Sequence, residues 1–545
     1  MRLDRIAAVA QTVKVRTGGR LVAECLEAAG VEVAFGVPGI HALAIWDGLR
    51  TSPVRAVGLR TELSAGFAAD GYARVSGRPA PLLLSTGPGA LISLAALMEA
   101  ASAHVPVVAI ASQIPGELIG AGRGFLHELP DQKASFEPVV KWAARAESAE
   151  QIPMLLAEAF RRALSPPSGP VFLEIPVDVL AGETDVPVGD LDTAPELPPL
   201  PAESDLAGAA QVLAGAERPV VWAGAGVLRS GAWDELRAAA ERLGAPVVST
   251  YMGKGAFPED HPLAVGSAHD EPAVRELLAG ADAILAVGTE LGAETTGQYS
   301  LELQGRLVHV DADPTRIGAT YDALGLVGDA RGVLAALAER FPTGESTAGE
   351  QRVADVRRRI EARLDEQGHG LERGLVRAVR EALPREAVSS WDMTILAYWA
   401  AAHFLAYEPR SFLYPLGSGT LGYSWPAALG ASLAVPGRPA LGVVGDGGFN
   451  YGLAELAPAR QYGLNAKLLL VDDGGYGILR EYQRDQFGET FSVDLVEPDF
   501  RAAIESFGVP VVSVEPDGVA DALRAAFAED GPAVVHVPTF LEMWT

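Results

Sequence analysis

The stretch "ALGVVGDGGFNYGLAELAPARQYGLNAKLLLVDDGGYG", Ala440 to Gly477, decides the fold. Two short apolar runs, "ALGVV" and "KLLLV", each end in acids and glycines, and an alanine-rich helical pattern lies between them. Such a pattern predicts parallel strands joined by a crossover helix, with helices covering both faces of the sheet. Asp446 and Asp473 stand 27 residues apart, one crossover unit, which brings their strand ends side by side. Either acid alone reads as a turn residue, because Asp and Gly are what turns are made of. Together they predict a cation site at the carboxyl ends of two strands, with glycines that let backbone groups approach a phosphate.

The same alternation runs through the chain. "APLLLS" and "VPVVAIAS" flank "LISLAALMEAAS" in a first block, and "RPVVWAG", "APVVST", "ADAILAVG" and "GRLVHVDAD" alternate with helical patterns in a second. Two stretches without apolar periodicity, Ala181–Ser204 and Phe341–Arg352, read as linkers. The expectation is an α/β protein of three doubly wound parallel-sheet domains, spanning 1–185, 200–342 and 360–545. The 545 residues exceed one hydrophobic core. The single cysteine, Cys25, excludes a disulfide framework and any cysteine-cluster metal site. A formal net charge of −27 argues against nucleic acid or an anionic membrane as partner. No apolar run is long enough for a membrane helix, and the N-terminus lacks a signal-peptide pattern, so a cytoplasmic protein is expected.

The segment from "GDGG" to "VDDGGYG" resembles the cofactor motif of thiamine diphosphate-dependent enzymes, in particular the acetolactate synthase and benzoylformate decarboxylase group acting on 2-oxo acids. The resemblance extends over almost the whole chain. It includes "GLRTELSAGFAADGYARVSGRPAPLLLSTGPGA", "SSWDMT", "YPLGSGTLGYSWPAALGASLA" and the middle block with "WAGAGVLRSG". The three domains would then be pyrimidine-binding, central Rossmann-like and diphosphate-binding. Carried over, Asp446 and Asp473 ligate Mg²⁺ by side chain and Gly475 by its carbonyl. Where relatives carry Asn-Asn this chain has Asp472-Asp473, and Asp472 is read as shaping the turn or satisfying backbone donors. Glu62 is the catalytic carboxyl that meets the cofactor's aminopyrimidine ring. Leu421 wedges beneath the cofactor, and the Gly419 carbonyl accepts from its amino group. Gly445, Gly447, Gly448, Tyr476, Gly477, Ile478, Met393 and Thr394 complete the expected cofactor contacts.

Substrate contacts are expected from His41, His127, Glu128, Gln132 and Tyr482. Glu128 stands near a position where relatives carry a glutamine, which suits a cationic 2-oxo acid. The resemblance implies non-oxidative decarboxylation, ending in aldehyde release or in attack on a second carbonyl. The alternatives are acetolactate synthase itself and a flavin-containing enzyme of the pyruvate oxidase type. Against the first, Glu481-Tyr482-Gln483 replaces a Gln-Trp-Gln. Gly224 and Gly226 form part of a dinucleotide motif in which Arg229 stands at the third glycine's place, so FAD is possible there but not indicated. A silent scaffold is the alternative from another class, and Glu62, Asp446 and Asp473 argue against it. The remaining partners implied are a small 2-oxo acid and further copies of this chain, a homodimer at minimum and a homotetramer by expectation.

Overall fold

Each alternating block closes on its own six-stranded parallel sheet. The computed structural model describes residues 15–342, 347–496 and 498–544. Most of the N-terminal stretch read for a signal, and the middle of the second linker, lie outside the described residues.

The first sheet orders its strands Arg55–Gly58, Val33–Gly36, Ala80–Leu84, Val107–Gln113, Val171–Pro176 and Ala143–Arg145. The third runs Phe412–Leu413, Val388–Trp391, Ala440–Gly445, Ala466–Asp472, Ala533–Pro538 and Val511–Ser513. Counted within their own blocks, both follow the order second, first, third, fourth, sixth, fifth. The middle sheet runs Leu324–Val327, Arg306–Asp311, Ala283–Val287, Pro219–Ala223, Val247–Ser249 and Ala264–Gly266. That is the doubly wound order of a dinucleotide-binding sheet. In the first and third sheets the winding reverses between the first and third strands of the block. A crevice opens there at the carboxyl ends of the strands.

Strands Ala440–Gly445 and Ala466–Asp472 are buried along their length and emerge only at their last residue. Covered on both faces, they read as unbroken apolar runs. Their register pairs Gly445 with Val471, so the acids that follow leave the sheet together.

Domains one and three share a core. Helix Glu62–Ser76 lies on helix Ser424–Ala434, and Phe67, Tyr72, Trp425 and Leu429 join one apolar cluster with Leu468 and Leu470. Each such buried side chain contributes roughly 1.5–3 kcal/mol. The crossing needs glycine: a Cβ on Gly71 would overlap the Ala427 carbonyl, and one on Gly430 the Ala68 carbonyl. Residues 184–202 carry no helix or strand, as expected of a linker. The second linker is shorter than expected, because helix Ala348–Gln367 begins inside it and spans the boundary placed at 360. Its Val353, Val356, Ile360 and Leu364 are buried at helical spacing.

Candidate active site

Every third-domain residue expected at the cofactor lines one cleft, at the winding reversal of the third sheet, and Glu62 does not. Met393 and Thr394 follow strand Val388–Trp391, Gly445 to Gly448 close strand Ala440–Gly445, and Asp473 to Ile478 follow strand Ala466–Asp472. Gly419 and Leu421 enter from a connection without helix or strand, and Ile395, Tyr398 and Leu479 complete the wall.

Asp446 opens helix Asp446–Gly452 and is 2% exposed. Its Oδ1 is buried with no hydrogen-bond partner among the described residues. Burial, then the neighbouring Asp473 and Asp472, push its carboxyl up to about 7. Burial also raises Asp473, against the pull of Arg480, whose Nη1 lies 3.9 Å from Asp473 Oδ2. Arg480 is itself turned toward Asp494 at 2.9 Å and toward the Asp473 carbonyl. Two acids largely buried side by side with little positive compensation make a hole for a cation. The Gly475 carbonyl lies 3.6 Å from where a Cβ on Gly447 would stand, so it borders the same space. A Cβ on Gly477 would overlap Asp473 Oδ2, which leaves glycine as the residue that lets this acid turn inward. Among the described residues no cluster of three or more His, Cys, Asp or Glu side chains could hold a metal ion. Two carboxylates and a carbonyl nevertheless fit an oxygen-seeking divalent cation that keeps phosphate or water as its other ligands.

Asp472 departs from its expected role. Its Oδ2 pairs with His536 Nε2 at 2.9 Å on the neighbouring strand, and His536 Nδ1 meets Ser513 Oγ at 3.0 Å. It is the Asp472 carbonyl, not its carboxylate, that accepts a backbone N–H, from Thr539 at 2.9 Å.

Asp392 is a site residue the sequence reading passed over. Fully buried and pushed up to about 6 by that burial, it accepts from the N–H of Met393 (2.9 Å), Gly422 (3.1 Å) and Ser424 (3.1 Å). It thereby ties the end of the first strand to the segment carrying Gly419 and Leu421. Its signal was the one used for Asp446, an acid at a strand end.

A second group of expected residues gathers at the winding reversal of the first sheet. Glu62 is the first residue of helix Glu62–Ser76, capped by Thr61, whose Oγ1 accepts from Ser64 N at 3.1 Å. Burial raises its carboxyl. Glu62, the turn before His41 and His127 all press on the turn Ser85–Gly89. A Cβ on Gly89 would stand 2.8 Å from Glu62 Oε1, one on Gly87 2.7 Å from the His127 carbonyl, and one on Gly39 would overlap Ser85 Oγ. The His41 and His127 rings meet edge to face at 5.2 Å, and the Nδ1 of each is buried without a partner among the described residues.

Three expected substrate contacts meet other geometry. Gln132 is fully buried, with Oε1 accepting from Gly87 N at 2.7 Å and Nε2 donating to Ser112 O and Glu174 Oε2. Glu128 turns back on its own loop, accepting from the N–H of Arg123, Gly124 and Phe125 at 3.3, 2.6 and 3.0 Å. Those bonds hold its carboxyl below the usual range. Tyr482 is half exposed on helix Gly477–Phe487 and does not line the cleft. Among the described residues, none of the first domain lines the third-domain cleft either.

Three family models match along the chain. Thiamine pyrophosphate enzyme, N-terminal TPP binding domain, covers residues 16–135; the central domain covers 206–337; the C-terminal TPP binding domain covers 392–537. A probable 2-ketoarginine decarboxylase of Pseudomonas aeruginosa is 38% identical over 537 residues, spanning 97% of this chain and 95% of the relative. A probable acetolactate synthase large subunit of Methanocaldococcus jannaschii is 32% identical over 552 residues, spanning 95% and 91%. An acetolactate synthase of Mycobacterium bovis is 33% identical over 544 residues, spanning 95% and 87%.

Proposed function

Because the chain belongs to the thiamine pyrophosphate (thiamine diphosphate) enzyme family, we propose that it decarboxylates a 2-oxo acid without oxidation, using thiamine diphosphate and Mg²⁺. The observation that carries this reading is the Asp446–Asp473 pair, with its orphaned buried oxygen, in a glycine-lined cleft at a winding reversal. When bound, the cofactor supplies the electron sink that allows CO₂ to leave.

The chain's own residues do the rest. Asp446, Asp473 and the Gly475 carbonyl would hold the cation, and Gly447 and Gly448, which line the cleft, would meet the diphosphate. Leu421 and Gly419 would set the cofactor's bend. Glu62, its carboxyl raised by burial, would meet the cofactor's ring nitrogen. His41 and His127 are the first-domain groups best placed for the substrate, since Gln132 and Glu128 are spent on the fold.

We also infer that the working unit is a dimer with each site shared between chains. Supporting this, the cleft is lined by third-domain residues alone among the described residues, while Glu62 lies in the first domain beside Gly89, and Ile40, Leu43 and Leu126 of that domain are exposed. For the substrate, the relative at 38% identity favours a 2-oxo acid with a guanidino tail. Carboligation, the activity of the acetolactate synthase relatives, is the second reading. The test is to reconstitute the chain with thiamine diphosphate and Mg²⁺, supply 5-guanidino-2-oxopentanoate and neutral 2-oxo acids, and identify products by mass. An aldehyde one carbon shorter supports decarboxylation. An acetohydroxy acid selects the second reading, and no CO₂ from any substrate rejects both.

A further inference from the structure

The connection Tyr414–Tyr423, which brings Gly419 and Leu421 into the cleft, contains no helix or strand to hold its shape. Asp392 holds its Gly422 end, and first-domain side chains hold the rest. Glu99 accepts from Gly417 N at 3.3 Å, Ser418 N at 2.7 Å and Ser418 Oγ at 3.0 Å. Arg74 donates to the Tyr414 carbonyl at 3.2 Å, and Asp70 Oδ1 accepts from the Tyr423 hydroxyl at 2.6 Å. Arg74 binds the two acids together, at 2.6 Å from Asp70 and 2.9 Å from Glu99. The side chains of Asp70 and Glu99 are fully buried and that of Arg74 is 14% exposed.

Burying three charges costs several kcal/mol each before pairing, and apolar packing would hold two domains together at lower cost. What charges supply and apolar groups do not is direction. The bonds from Glu99, Arg74 and Asp70 to this segment end on its backbone groups or hydroxyls, and the segment reaches the cofactor cleft. Asp70 and Arg74 also lie on the helix that begins at Glu62, and Glu455 of the third domain accepts from Arg60 N just before that helix starts.

We infer that Asp70, Arg74 and Glu99 are positioning residues that set, from the first domain, where Gly419 and Leu421 stand in the cofactor cleft of the same chain. The inference rests on the reading that this cleft takes thiamine diphosphate. The segment is thus preorganised before any ligand arrives, and binding need not pay for ordering it.

The test uses the full chain and two readouts. In Glu99→Gln, the Kd for thiamine diphosphate with Mg²⁺ rises about ten-fold by calorimetry, as for one lost hydrogen bond to a charged group. In the cofactor-free protein, the amides of residues 414–423 exchange about ten-fold faster in the same variant. Ser418→Ala removes one bond and gives smaller shifts of the same sign. Glu259→Gln serves as control, since it breaks the buried Lys254–Glu259 pair at 2.9 Å and touches nothing in the segment. It lowers the melting temperature and leaves Kd unchanged. The inference is overturned if both test variants keep wild-type Kd and exchange, or if the control weakens binding as much. Should Glu99→Gln not fold, Ser418→Ala decides by the same two readouts. If the wild-type chain binds no thiamine diphosphate, the proposed function falls, and amide exchange still decides whether the clamp orders the segment.

Discussion

At the scale of single residues, the two adjacent acids at the end of strand Ala466–Asp472 have different work. Asp473 turns toward Asp446 and the cleft, while Asp472 turns to His536 across the sheet. Asp472→Asn should therefore lower stability by about 1–2 kcal/mol in denaturant titration, the cost of weakening one charged hydrogen bond. It should leave cofactor affinity unchanged. Asp473→Asn relieves acid against acid and keeps an oxygen donor, so it should bind the cofactor and turn over. Gly477→Ala should do the opposite of what its small size suggests. Its Cβ would displace the Asp473 carboxylate, and calorimetry should find cofactor binding lost in a folded protein. The pairing of Asp446 with Asp473 was legible because one crossover unit separates them. The partner of Asp472 was not, because His536 lies 64 residues on, beyond any local pattern.

At the scale of elements, strands and crossovers were read from apolar runs that end in Asp and Gly, and these run as expected. What escaped was what each loop carboxylate does. Glu128 looked like a substrate contact because it stands in a conspicuous polar loop, yet three backbone N–H groups claim it. Glu128→Gln should thus loosen that loop and reduce turnover by the same factor for cationic and neutral 2-oxo acids. A loss confined to cationic substrates would restore it as a recognition group. The helix Ala348–Gln367 was masked by the Gly, Ser and Thr that precede it, although its buried positions recur every three or four residues. Glu455, beside the start of helix Glu62–Ser76, gives this seam a pH dependence. Burial lifts its carboxyl from the ordinary 4.5 up to about 7. Between those values the folded chain holds a proton that the unfolded chain has released, so stability falls as pH rises through the window and levels above it. Relative to Glu455→Gln, the wild type should lose roughly 3 kcal/mol between pH 4.5 and 7. A constant difference across that range would contradict the assignment.

Across the whole molecule, the first and third sheets place two groups of candidate site residues at two equivalent winding reversals. The order of the strands was not legible, because register and neighbour choice arise from packing between segments far apart in the chain. The proposed sharing of each site between two copies is tested by mixing inactive chains. Glu62→Gln and Asp446→Ala should each be silent alone, and after subunit exchange their mixture should regain roughly a quarter of wild-type activity. No recovery would place a complete site within one chain. The Asp446 cleft is proposed to make this chain a thiamine diphosphate- and Mg²⁺-dependent 2-oxo acid decarboxylase. The most direct measurement is CO₂ release from 5-guanidino-2-oxopentanoate by the cofactor-free protein, with each component added in turn. The prediction is release only when protein, thiamine diphosphate and Mg²⁺ are all present, and none from Asp446→Ala. Release without the cofactor, or undiminished release from Asp446→Ala, would contradict it.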